Sequence, residues 1–164
     1  MHASYRDRVE VFAISPNGRL LGGRWINDHT FAIPGGGVDE GEQLLEAAVR
    51  EFYEETGFEA FEPSLITGME PGIRLWPVED RKAKPSDRKH FIGSRTMHVV
   101  VRLLSETPSQ TEGLDSWSVS DKGFYTPSEA LAIQTAPGLV PMSYEHWIAR
   151  KKIIERLREK LETR

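Results

Sequence analysis

The order of strand and helix signals predicts an α/β or α+β fold built on a mixed sheet. Three observations carry it. An apolar strand run, Val9 to Ile14, meets a turn and a second strand; an amphipathic helix covers Glu42 to about Thr56; and a strand at Thr96–Leu104 precedes a long amphipathic helix from about Ser143. Strands and helices therefore interleave rather than segregate.

Taken in order, Ser15-Pro16-Asn17-Gly18 is strong turn chemistry between the Val9–Ile14 run and Arg19-Leu20-Leu21, which predicts an opening β-hairpin. Phe31-Ala32-Ile33 is a short apolar run halted by Pro34-Gly35-Gly36-Gly37, read as a loop with wide backbone freedom. Leu45, Ala48, Val49 and Phe52 fall on one stripe of the next helix, and Gly57 stands where a C-terminal cap glycine is expected. A strand is expected within Glu59–Gly68. Glu70 to Arg95, rich in proline and charge, reads as a loop. Thr96–Leu104 is the clearest strand, and Ser105–Ser116 is a polar loop before a strand ending at Phe124-Tyr125. Thr126-Pro127-Ser128-Glu129 opens a short helix, with Thr126 as cap and Pro127 in its first turn. The final helix carries the stripe Trp147, Ile153, Ile154, Leu157 and Leu161, and it suits either packing on its own sheet or support of a homodimer.

A length of 164 residues predicts one domain spanning 1–164, and 38% hydrophobic content suffices for a core. Twenty-one basic against twenty-five acidic residues give a net charge of −4, which argues against a long nucleic acid as partner. The absence of cysteine removes disulfides, thiolate metal sites and a cysteine nucleophile together. The start, Met1 to Arg8, has no apolar stretch of the signal-peptide kind, and no run is long enough to span a membrane. A cytoplasmic protein is the expectation. His2, His29 and His146 lack ligand spacing and His98 alternates within a strand, so no zinc site is expected.

The charge is unevenly spread. Residues 36–58 hold seven acids against Arg50 alone, a local charge of −6, which leaves +2 for the rest. Within that segment Glu51, Glu54 and Glu55 stand at i, i+3 and i+4, so a helix aligns their carboxylates on one stripe. Unneutralised, such neighbours repel. A solvated acidic face is the plain reading. A site for a hard divalent cation such as Mg²⁺ or Mn²⁺, with the preceding glycine loop lending a carbonyl and admitting a phosphate, is the sharper one.

Gly36, five residues, Glu42, seven residues, then Arg50-Glu51-Phe52-Tyr53-Glu54-Glu55-Thr56-Gly57-Phe58 resembles the complete box of the Nudix hydrolases, G-x5-E-x7-R-E-U-x-E-E-x-G-U with U a bulky apolar residue. Seven fixed identities at roughly 7% each give on the order of 10⁻⁸ per window, so chance does not explain the match. The resemblance implies an α/β/α sandwich with a mixed sheet. It also implies Mg²⁺- or Mn²⁺-dependent hydrolysis of a nucleoside diphosphate linked to a further group X, by attack of activated water on phosphorus. By the same resemblance Glu51, Glu54 and Glu55 are metal ligands, with Glu51 as proton acceptor. Gly35 supplies a carbonyl ligand, Arg50 and Glu42 pair to fix the loop on the helix, and Gly36 and Gly57 are structural. A further acid from the loop before the last strand is expected at Asp121, with Glu112 and Asp115 as rivals.

The Glu70–Arg95 stretch carries a local +3, which suits a rim gathering polyphosphate through Arg88, His90 or Arg95 or, equally, a solvated loop. Arg24 and Trp25 are candidates to bind phosphate and stack a base. No substrate signature downstream of the box matches, so X stays open: a nucleoside triphosphate, ADP-ribose or a nucleotide sugar. Two alternatives stand beside this reading, a non-catalytic nucleotide-binding module and a nucleotide-sugar hydrolase attacking carbon. The isomerases that share the fold need a cysteine that this chain lacks.

Overall fold

A computed structural model of the chain describes residues 4–162. Met1-His2-Ala3 at the start, His2 among them, lie outside the described residues. The elements run β1 (Tyr5–Ile14), β2 (Leu20–Trp25), β3 (Phe31–Ala32), β4 (Gly35–Gly37), α1 (Leu44–Thr56), β5 (Phe61–Leu65), β6 (Gly72–Leu75), α2 (Val78–Lys82), β7 (Gly93–Arg102), β8 (Val119–Tyr125), α3 (Pro127–Gln134) and α4 (Tyr144–Glu162). A 3-10 turn at Ser86–Arg88 follows α2.

The mixed sheet follows the order β3-β2-β1-β7-β5. β1 and β7 lie parallel from Tyr5↔Gly93 to Ile14↔Arg102, while the remaining pairs are antiparallel. The two-residue period of β1 assigns its side chains to two cores. Val9, Val11 and Ala13 face α1 and pack with Ala48, Phe52 and Phe58. Phe12 and Ile14 face the other way, against Ile133 of α3 and Ile153, Ile154 and Leu157 of α4. The result is the expected α/β/α sandwich.

α4 is docked on its own sheet by polar contacts as well. The fully buried Gln134 accepts from the Phe31 N–H and donates to the Trp147 carbonyl, while Trp147 Nε1 donates back to the Gln134 carbonyl at 2.7 Å. Among the described residues no helix is long and apolar enough to cross a membrane. Gly57 ends α1 in the left-handed region at φ 74°, and Thr126 with Glu129 forms a reciprocal capping box at the start of α3.

Three expectations are corrected. The Gly35-Gly36-Gly37 segment is not a free loop but a strand paired with Arg8, Val9 and Glu10 of β1. The Glu70–Arg95 stretch is not unstructured: it contains β6, α2 and the start of β7. β6 is masked in the sequence because its side chains past Gly72 are exposed, which removes the alternation that marks a half-buried strand. Asp121 belongs to β8 and not to the loop before it, where it takes a positive φ of 55°.

Phe52 is fully buried between α1 and the sheet. Phe52→Ala is expected to cost about 3–5 kcal/mol of stability, read from the urea unfolding midpoint.

Candidate active site

α1 presents its acidic stripe toward β4, and one guanidinium ties the two together. Arg50 Nε and Nη2 donate to the two carboxylate oxygens of Glu42 at 2.7 and 2.8 Å, and Nη2 also donates to the Gly37 carbonyl at 3.0 Å. Nη1 donates to Glu51 at 3.0 Å and to Glu54 at 3.1 Å. The bidentate contact with Arg50 holds the Glu42 carboxyl down at about 2, against its partial burial. Gly36 allows a close approach, since a Cβ there would displace the Glu51 carboxylate from the position it takes.

Glu55 accepts a hydrogen bond from the Gly35 N–H at 2.8 Å. Burial pushes its carboxyl up to about 7; the Gly35 N–H opposes the rise, and Glu51 and Asp115 add to it. Burial raises Glu51 as well, with Glu54 pushing the same way against the pull of Arg50.

Among the described residues no three His, Cys, Asp or Glu side chains converge on a common point, because Glu51 and Glu54 turn to Arg50 and Glu55 to the Gly35 N–H. The donor set nevertheless fits a hard divalent cation. It consists of carboxylate oxygens on one helix face, beside a glycine strand, and their crowding disfavours the very charges that a cation would stabilise.

A cavity of about 450 Å³ opens from Glu55 and Gly35. Arg6, Arg8, Arg74, Lys84 and Arg150 give it positive charge, and Trp25, Trp76 and Trp117 give it aromatic walls. Of the residues proposed for substrate, Trp25 lines it. Arg88 does not line it, although its charge acts on Arg6, which does: burial lowers the pKa of Arg6, and the charges of Arg88 and Arg8 lower it further. The other three point elsewhere. Arg24 pairs with Asp121 at 3.3 Å, Arg95 with Asp7 at 2.8 Å, and the exposed His90 ring lies against Phe91. Asp121 is thus engaged by β2. Asp115 is instead the rival set beside the box, its backbone N–H donating to the Glu54 carbonyl at 2.8 Å. Glu112 lines a shallow depression with Glu54 and Asp115.

Sequence reasoning missed Arg6, Arg8 and Arg150. Arg150 carried a signal, for it stands three residues after Trp147 and three before Ile153, on the apolar stripe where a charge needs a partner. That partner is Glu10: Arg150 Nε donates to its carboxylate at 3.0 Å, and His98 Nε2 lies 3.0 Å away on the same acid. Burial alone would raise the Glu10 carboxyl, but Arg150 and His98 outweigh it and hold the group well below its ordinary range.

The NUDIX domain family profile matches residues 4–145. The chain belongs to the Nudix family. An RNA pyrophosphohydrolase of Shewanella sp. (strain ANA-3) is 26% identical over 102 residues, which cover 62% of this chain and 58% of that protein. The chain thus aligns with less than two thirds of that relative's length. Solved folds agree. An ADP compounds hydrolase superposes with a TM-score of 0.62 at 19% identity, covering 100% of this chain and 78% of that one. The MutT protein of Bacillus halodurans gives 0.56 at 17% identity, covering 91% and 82%. The Nudix box therefore sits on the Nudix fold, with α1 and β4 as its helix and glycine strand.

The buried Glu10–Arg150 pair yields a pH prediction. Because the folded pKa of Glu10 lies below the ordinary 4.5, its contribution to stability is complete above that value and is lost as pH falls through the folded pKa. Resistance to urea unfolding is expected to fall on acidification between about pH 5 and 3 more steeply in the wild type than in a Glu10→Gln/Arg150→Met double variant. Arg150→Met alone strands the Glu10 charge and is expected to cost about 3–5 kcal/mol.

Proposed function

We propose that this Nudix protein is a pyrophosphohydrolase, with residues 1–164 forming one catalytic domain. It hydrolyses a phosphoanhydride bond of a nucleoside diphosphate linked to X, by attack of water on phosphorus. The observation that carries the reading is the continuity of the acidic stripe with the basic, aromatic-walled cavity through Glu55 and Gly35. A protein that only bound nucleotides would have no need of three crowded carboxylates beside the anion-attracting end of its pocket.

Glu51, Glu54 and Glu55, with the Gly35 carbonyl, would hold the divalent ion, Mg²⁺ or Mn²⁺. When bound, it supplies Lewis acidity that offsets charge on the phosphoanhydride and eases deprotonation of water. The chain's own residues do the remaining work. Glu51 takes the proton from the attacking water, and Asp115 is the loop acid set beside the box to assist. Arg6 and Arg8 receive phosphate oxygens from the β1 side, and Arg50 keeps Gly37 and the carboxylates in register without touching substrate.

The test is a Mg²⁺ and Mn²⁺ activity screen over nucleoside triphosphates, ADP-ribose, nucleotide sugars, dinucleoside polyphosphates and 5′-triphosphorylated RNA, run in ¹⁸O-labelled water. At least one substrate is expected to turn over with label in a phosphate product. Label in the sugar would mean attack at carbon, and no turnover would mean a binding module. Glu54→Gln and Glu55→Gln are each expected to cut turnover at least about a hundredfold with an unchanged melting temperature. Retained turnover in both would contradict the assignment.

A further inference from the structure

Among the described residues, two buried side-chain nitrogens lack a hydrogen-bond partner: Trp117 Nε1 and His146 Nε2. Both residues line the cavity that opens from Glu55. Buried polar groups in folded proteins are nearly always paired, so two orphans among the residues of one cavity point to partners that the protein itself does not supply.

The two arrive from unrelated parts of the chain. Trp117 precedes β8, is 6% exposed, and packs its ring into the core beneath α1, which fixes the indole while leaving its N–H free. His146 lies in the first turn of α4. Its ring rests on Gly72 of β6, where a Cβ would stand 2.6 Å from Nε2, so glycine is what lets the imidazole lie there. Burial lowers the His146 pKa, with Glu10 and a hydrogen bond to the Gly72 backbone opposing the shift and Arg150 and His98 adding to it. The net shift favours the uncharged imidazole.

Neutral, directional groups are poor partners for phosphate, which the surrounding guanidiniums serve. An indole N–H donates only, and so requires an acceptor. The same cavity is lined by Trp25 and Trp76, whose rings suit a flat heterocycle. We propose that Trp117 Nε1–H and His146 Nε2 read the hydrogen-bonding edge of the substrate's nucleobase and set base preference. The proposal rests on the nucleotide reading above and adds the residues that discriminate among nucleotides.

Calorimetric titration of ADP, GDP, CDP and UDP, with inorganic pyrophosphate as control, tests it in the wild type, Trp117→Phe and His146→Phe. The wild type is expected to prefer one base or one base pair of the set. Each variant is expected to weaken the preferred diphosphate about tenfold, flatten the ranking, and bind pyrophosphate as before. Equal binding of all four by the wild type would overturn the proposal. So would an unchanged ranking in variants that melt like the wild type, or a parallel loss of pyrophosphate. Should Trp117→Phe fail to fold, the wild type still decides: one of its four indole N–H proton resonances is expected to move downfield with the preferred diphosphate, and no movement overturns the proposal. The two readings fail separately. Hydrolysis with an unaltered base ranking in the variants removes this inference alone, whereas base-selective binding without hydrolysis of any substrate removes the catalytic one.

Discussion

One guanidinium holds this site together. Three glutamates at i, i+3 and i+4 repel one another, and a glycine strand has no side chains with which to anchor itself. Arg50 answers both problems by dividing its N–H groups among Glu42, the Gly37 carbonyl, Glu51 and Glu54. Lysine has the charge but not the planar fork that spans four acceptors, so the position is chemically specific to arginine. The same contacts explain why Glu42, eight residues upstream, belongs to the motif at all: it is the counter-charge that orients the fork.

The central pair of parallel strands converts this local arrangement into a pocket. β1 sends Val9 and Val11 into the core beneath α1 and turns Glu10 toward α4, where it meets Arg150. In register, Glu10 stands opposite Gly35, so the buried ion pair lies directly behind the glycine that contacts Glu55. α4 is therefore more than a cover for the second core. It delivers Arg150 and His146 to the cavity and is pinned there by the Gln134–Trp147 exchange.

The box was legible because its chemistry is local: spacing along one helix fixes which carboxylates align, and Gly57 and Thr126 mark ends through backbone rules that act within a few residues. The pocket was less legible because its parts meet only through the sheet. Arg6 and Arg8 sit in a charged start that reads as solvated until β1 is seen to extend to Tyr5. Arg88 and Arg95 look alike in sequence, yet Arg95 alternates to the outer face and pairs with Asp7. Asp121 and Asp115 likewise differ through a register and a φ value that no composition shows. The glycine triplet looked like freedom and is instead close approach, a distinction that depends on the Glu51 carboxylate above it.

The proposed function turns on a divalent-cation site formed by the carboxylates of one helix and steadied by Arg50. Titration of Mn²⁺ followed by electron paramagnetic resonance tests it most directly, comparing the wild type with a Glu51→Gln/Glu54→Gln/Glu55→Gln variant of matching circular dichroism. The wild type is expected to sequester Mn²⁺ and the variant to leave the free-ion signal undiminished. Equal sequestration by both proteins would contradict it.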